Sequence, residues 1–220
     1  MATLLSKMKQ NPQVDNDLLV VTHRVQPMFL CFDYETSGIG DFKKQKAIQL
    51  AWVLCDKNYK KIGKIYSLYF DDVTEINTEF HKNLTVQSIK KIAVPAKYIL
   101  DSFLNDCNTV MRNNGLIIAH NIEFDYQILQ NECKRQKINY HFDIMRKHLF
   151  CTMKTTTNLC KLKSHGGQNK YPRLVELYKF LHNKIPELEL HEASNDVEVL
   201  YRCFATLNNK YKFKNYNYIC

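Results

Sequence analysis

From Met28 to Phe32 the chain reads M-F-L-C-F without polar alternation, the pattern of a central strand covered on both faces. Ala47–Asp56 (AIQLAWVLCD) and Tyr59–Phe70 (YKKIGKIYSLYF) are rich in branched and aromatic residues. Only Lys57-Asn58 separates them, which predicts an antiparallel meander with the first strand. Thr85–Ile92 and Ala96–Met111 read as helices with Pro95 at their junction. After the turn signal Asn113-Asn114-Gly115, Leu116–Ala119 is a short buried strand and Asn121–Lys137 has helical period. Phe150–Met153 is a further short strand, and Lys154–Tyr171 is a basic, glycine-containing connection. Pro172 stands where a helix begins, leading Arg173–His182, and His191–Leu207 is the last helix. Three consecutive strands, then helices alternating with short strands, predict an α/β fold: a mixed sheet flanked by helices.

The 220 residues suffice for one domain with a sizeable core. The expected organisation is an N-terminal extension (1–26), the domain itself (27–207) and a basic, tyrosine-rich tail (208–220), with no internal repeat. Lys and Arg total 31 against 22 Asp and Glu, a formal charge of +9, which favours a polyanionic partner. Nucleic acid, an anionic membrane surface and a merely solubilising basic surface all agree with that charge. Eight scattered cysteines without a C-x-x-C pair, several inside apolar runs, read as small core residues in a reducing compartment. Cys151, Cys160 and His165 could make part of a zinc site, though they lack a paired knuckle. Leu18–Val21 is too short for a signal peptide and no segment reaches transmembrane length. The expectation is a soluble intracellular protein of cytoplasm or nucleus, without membrane association.

The carboxylates change this picture. Asp33 and Glu35 close the first strand, and positions i and i+2 of a strand share a face. Two like charges that close need a cation or a proton between them. Read singly, D-x-E before Thr36, Ser37, Gly38 and Gly40 is also an ordinary polar turn. In Asn121–Lys137, where Asn121 is a candidate N-cap, Asp125 points with Ile128, Leu129 and Cys133 toward the buried side. In the last helix Asp196 falls within the arc of Val197, Val199, Leu200, Cys203, Phe204 and Leu207 at about 100° per residue. Pairing with a buried Arg or Lys is the alternative for both, but the basic residues cluster in loops and at helix ends. Four oxygen donors without a soft ligand suit Mg²⁺ or Mn²⁺. His191 stands five residues before Asp196, about 140° around a helix axis, so the two share a site only if His191 lies at or before the first turn. A histidine so placed is suited to taking a proton from water near neutral pH.

Together, F-D-Y-E-T-S-G, A-H-N-I-E-F-D and H-E-A-S-N-D resemble, in order, the three exonuclease motifs of the DEDD superfamily. The branch is the histidine-bearing one, which includes polymerase proofreading subunits, ribonuclease T and oligoribonuclease; Glu192 stands where the sister branch has tyrosine. The resemblance covers about Met28 to Leu207. It implies a ribonuclease H-like fold and 3′–5′ exonuclease activity on nucleic acid with a free 3′ end. Two divalent metals, Mg²⁺ or Mn²⁺, would be held by Asp33, Glu35, Asp125 and Asp196, with His191 accepting a proton from the attacking water. Thr36 and Ser37 would lie against the terminal nucleotide, Ile39 near its base, and His120, Asn121 and Phe124 along the 3′-terminal pocket. Lys43, Lys44, Lys46, Lys154, Lys161, Lys163, Lys170 and the tail Lys210–Lys214 are candidates for gripping the backbone. Cys151-Thr152-Met153 departs from the family's D-T at this point. DNA is the expected substrate. RNA trimming and a non-catalytic binding module on the same fold are the alternatives, and association with a polymerase stays open because no docking peptide is evident.

Overall fold

The structure, a computed structural model, describes residues 25–38, 41, 45–79, 81 and 84–211. Five strands form one sheet: β1 (Phe29–Thr36), β2 (Ala47–Cys55), β3 (Lys61–Tyr69), β4 (Leu116–Ala119) and β5 (Leu149–Cys151). Their order is β3-β2-β1-β4-β5. The first three pair antiparallel, while β4 and β5 add in parallel on the other side of β1. This is the mixed sheet with an antiparallel N-terminal meander that the pattern predicts. The helices are α1 (Val86–Lys90), α2 (Ala96–Arg112), α3 (Ile122–Arg135), α4 (Phe142–Arg146), α5 (Thr152–Cys160), α6 (Leu174–His182) and α7 (Ala193–Tyr211).

Alternation along β1 divides the core. Leu30, Phe32 and Tyr34 pack with Ile99, Leu100 and Phe103 of α2 and with Ile128 and Leu129 of α3. Phe29 and Cys31 face the opposite way, onto Val197, Leu200 and Phe204 of α7. Asp33 and Glu35 continue the Phe29–Cys31 row, so strand geometry aims both acids at α7. A third apolar cluster joins Leu177 and Leu181 of α6 to Val199, Cys203 and Leu207 of α7. The turn before β4 works only with glycine, because a Cβ on Gly115 would fall 2.0 Å from the Met28 carbonyl oxygen.

Several boundaries differ from the sequence reading. The strand expected over Phe150–Met153 ends at Cys151, and the expected connection from Lys154 begins inside a helix, α5. The short helix α4 has no counterpart in the reading. Asn121 does occupy the N-cap of α3, but in a left-handed conformation (φ 72°), and its side chain accepts no capping hydrogen bond. The last helix starts at Ala193 rather than His191 and runs on to Tyr211, so Asn208–Tyr211 belong to it and not to a tail. The extension and tail otherwise lie outside the described residues, as do Ile39, Lys43 and Lys44. All seven described cysteines are buried thiols. No helix among the described residues is long and apolar enough to cross a membrane.

Candidate active site

At the end of β1, Asp33, Glu35 and Asp196 bring carboxylate oxygens within 4.8 Å of one another. The strand supplies the first two and α7 the third, so residues more than 160 positions apart meet because α7 packs across β1, β2 and β3. Asp125, from α3, is 2% exposed and approaches from the other side of the strand. Its Oδ1 accepts the Tyr34 N–H at 3.1 Å, the backbone amide between Asp33 and Glu35.

No lysine or arginine among the described residues forms an ion pair with these four acids. Their protonation reflects that. Burial, and then the charges of Asp125, Asp196 and Glu35, push the Asp33 carboxyl well above the usual carboxylate range. Burial and the charges of Asp196 and Glu192 raise Glu35 to about 7. Burial raises Asp125 well above its ordinary value despite the Tyr34 N–H. Burial raises Asp196 too, opposed by the His191 N–H. A crowded cluster of oxygen-only donors, unpaired with any lysine or arginine among the described residues, could hold a hard divalent cation.

His191 precedes α7 in a left-handed conformation (φ 76°), a costly geometry for a non-glycine residue. Its N–H donates to Asp196 Oδ2 at 2.9 Å, which folds the segment back over the first turn of α7. The 140° mismatch of a continuous helix therefore does not arise. His191 lines a cavity of about 880 Å³ together with Glu35, Thr36, Phe124, Tyr69 and Leu84.

The other expected site residues divide. Thr36 and Phe124 line the cavity. Thr36 Oγ1 donates to Gln45 Oε1 at 2.7 Å, and its carbonyl accepts from His81 Nε2 at 2.8 Å. Ser37 is buried and spends its backbone on the loop, its N–H donating to Lys46 O at 2.8 Å and its carbonyl accepting from Asn77 N at 2.8 Å. His120 turns away from the cavity. Its ring nitrogens sit 2.9 Å from Thr152 Oγ1 and 2.9 Å from Pro172 O, and burial lowers its pKa to about 4. Asn121 is exposed and does not line the cavity. Lys46, Lys154, Lys163 and Lys170 are engaged by Asp72, Glu123, Asn169 and Glu176 respectively.

Tyr69, His81 and Leu84 line the cavity without having been singled out in the sequence. Tyr69 had a usable signal: it pairs with Gln49, which pairs with Glu35, so the three form one row across the sheet. His81 and Leu84 come from an irregular segment whose path no periodicity encodes.

A family model described as an exonuclease (RNase_T) matches residues 30–204. Among curated proteins, none matches the chain in sequence. Solved structures do match its fold. E. coli exonuclease I in complex with a dA16 oligonucleotide superposes with a TM-score of 0.67 at 16% identity, over 83% of this chain and 41% of that one. The same enzyme with a dT13 oligonucleotide gives 0.66 at 18% identity, over 84% and 41%. A moderately thermophilic exonuclease I from Methylocaldum szegediense gives 0.62 at 14% identity, over 84% and 41%. The chain thus spans about two fifths of the length of these structures, and at such identity the likeness is one of fold.

Proposed function

The chain belongs to the RNase_T exonuclease family, and on that premise we propose that it removes nucleotides one at a time from the 3′ end of single-stranded or frayed DNA. The observation that carries this reading is the meeting of Asp33, Glu35 and Asp196 within 4.8 Å, beside the cavity that His191 lines. The oligonucleotides bound by the exonuclease I structures of like fold support a single strand of DNA as substrate. The position of His191 agrees with the histidine-bearing branch of the superfamily.

Water adds to the terminal phosphorus, the bond from phosphorus to the 3′ oxygen breaks, and a nucleoside 5′-monophosphate departs from a strand one residue shorter. Asp33, Glu35, Asp125 and Asp196 are the residues that would hold two Mg²⁺ or Mn²⁺ ions; bound there, the ions would supply the positive charge that activates water and neutralises the phosphate. His191 takes the proton of the attacking water, at the exposed end of the site where a proton can pass on to solvent. Asp125 fixes the strand between the two acids through the Tyr34 N–H. Phe124 and Leu84 offer apolar walls to the terminal base, and Thr36 lies against the terminal nucleotide.

The test separates the two kinds of residue. On a 5′-labelled DNA strand with Mn²⁺, Asp33→Asn is expected to abolish cleavage and Mn²⁺ binding together. His191→Ala is expected to lower turnover by about 10²-fold or more, the usual range for a general base, with Mn²⁺ affinity retained. Loss of Mn²⁺ binding in His191→Ala would refute this division of roles.

A further inference from the structure

β2 is buried along its whole length and apolar except at one place, Gln49, which is polar and 0% exposed. A buried amide costs stability unless both of its ends are bonded, and here both are. Nε2 donates to Ser67 Oγ at 2.8 Å on the neighbouring strand, and Oε1 accepts the Ala193 N–H at 3.2 Å. Ala193 is the first residue of α7, where backbone N–H groups have no acceptor within the helix. Glu192 O accepts the N–H groups of Asn195 and Asp196, and the amide of Gln49 caps the Ala193 N–H of that first turn from the sheet.

The register gives this bond its consequence. Gln49 pairs directly with Glu35 on β1, and on the same face it continues the row that runs through Ala51, Val53 and Cys55 beneath α7. Its hydrogen bond to Ala193 therefore fastens the backbone between His191 and Asp196 to the strand position beside Glu35. We infer that Gln49 is a positioning residue: through Ala193 it sets the distance between the acids of β1 and the His191–Asp196 segment, without touching substrate. The consequence for turnover rests on the nuclease reading of the cleft; the tether itself does not. A displacement of about 1 Å at such a site can cost about 10²-fold in rate.

The experiment pairs Gln49→Met, which keeps the volume and removes the acceptor, with Gln49→Glu, which keeps the acceptor for Ala193 N–H. Hydrogen exchange over residues 191–197 reads the tether directly, and kcat and KM on a 5′-labelled strand with Mn²⁺ read its effect. In Gln49→Met the expected result is loss of protection at Ala193, kcat lowered at least about tenfold and KM within about twofold. Gln49→Glu is expected to keep Ala193 protected and to hold kcat within about threefold. Unchanged protection in Gln49→Met would overturn the tether. Lost protection with unchanged kcat would overturn the positioning role. If Gln49→Met does not fold, a Gln49→Glu protein with Ala193 protected and kcat down tenfold overturns it equally. A wild-type protein that protects Ala193 yet cleaves no nucleic acid would sink the nuclease reading while leaving the tether standing.

Discussion

Replacing Glu35 by glutamine should stabilise the metal-free protein, and by an amount that depends on pH. In the fold Glu35 titrates at about 7, against 4.5 for an ordinary glutamate. Between those values the native state holds a proton that the unfolded chain has released, so stability falls as pH rises from about 4.5 to about 7. At about 1.4 kcal/mol per pH unit the full loss is about 3 kcal/mol. For a chain of this size that corresponds to roughly 6–12 °C in Tm. The wild-type curve alone would hide the effect. His120, lowered from 6.5 to about 4, works in the opposite direction, adding stability as pH climbs through that lower window. The difference between Glu35→Gln and wild type cancels His120 and reports Glu35 together with Asp33 and Asp125, whose carboxyls its charge helps to raise. In EDTA, thermal unfolding followed by circular dichroism should show the variant close to wild type at pH 5 and roughly 6–12 °C above it at pH 8. Excess Mn²⁺ at pH 8 should raise wild type and shrink that gap, because the bound ion supplies positive charge to the acids. A gap that is constant with pH, or reversed in EDTA, would refute the idea that crowding and burial of these acids govern the site.

Two further outcomes follow from hydrogen bonds that α3 accepts from the sheet. Asp125→Asn keeps an oxygen for the Tyr34 N–H, so it should fold with an unreduced Tm in EDTA while losing Mn²⁺ binding, measured by calorimetry, and cleavage. Glu132 is 1% exposed, and its Oε1 accepts Ala47 N–H at 2.8 Å and Arg135 Nη1 at 2.7 Å. Glu132→Leu strands both donors and should cost about 3 kcal/mol in urea unfolding, whereas Glu132→Gln should cost less than half as much.

The sequence made the acidic frame legible because that frame is periodic. Asp33 and Glu35 continue an alternating strand, and Asp196 sits within an apolar helical arc, so each acid declares its direction from its neighbours. α5 was not legible for the opposite reason. Its TMKTTTNLC sequence is poor in helix formers, and the hydroxyls of Thr155, Thr156 and Thr157 find partners only once the helix exists, donating to the carbonyls of Cys151, Thr152 and Met153. His120 was readable as a motif residue but not as a tether, since Pro172 lies 52 positions away and reaches it only in the folded chain. Gln49 stands out in the sequence as a polar interruption of β2. Its partner Ala193, however, is 144 residues distant and carries no distinguishing side chain.

The most direct measurement of the central claim uses one DNA strand labelled at its 5′ end and another labelled at its 3′ end, each incubated with purified protein in Mn²⁺ and in EDTA. With Mn²⁺, the 5′-labelled strand is expected to shorten in single-nucleotide steps while the 3′-labelled strand releases a labelled mononucleotide at once, and EDTA abolishes both. Strands left intact in abundant Mn²⁺, or shortening that begins at the 5′ end, would contradict the account.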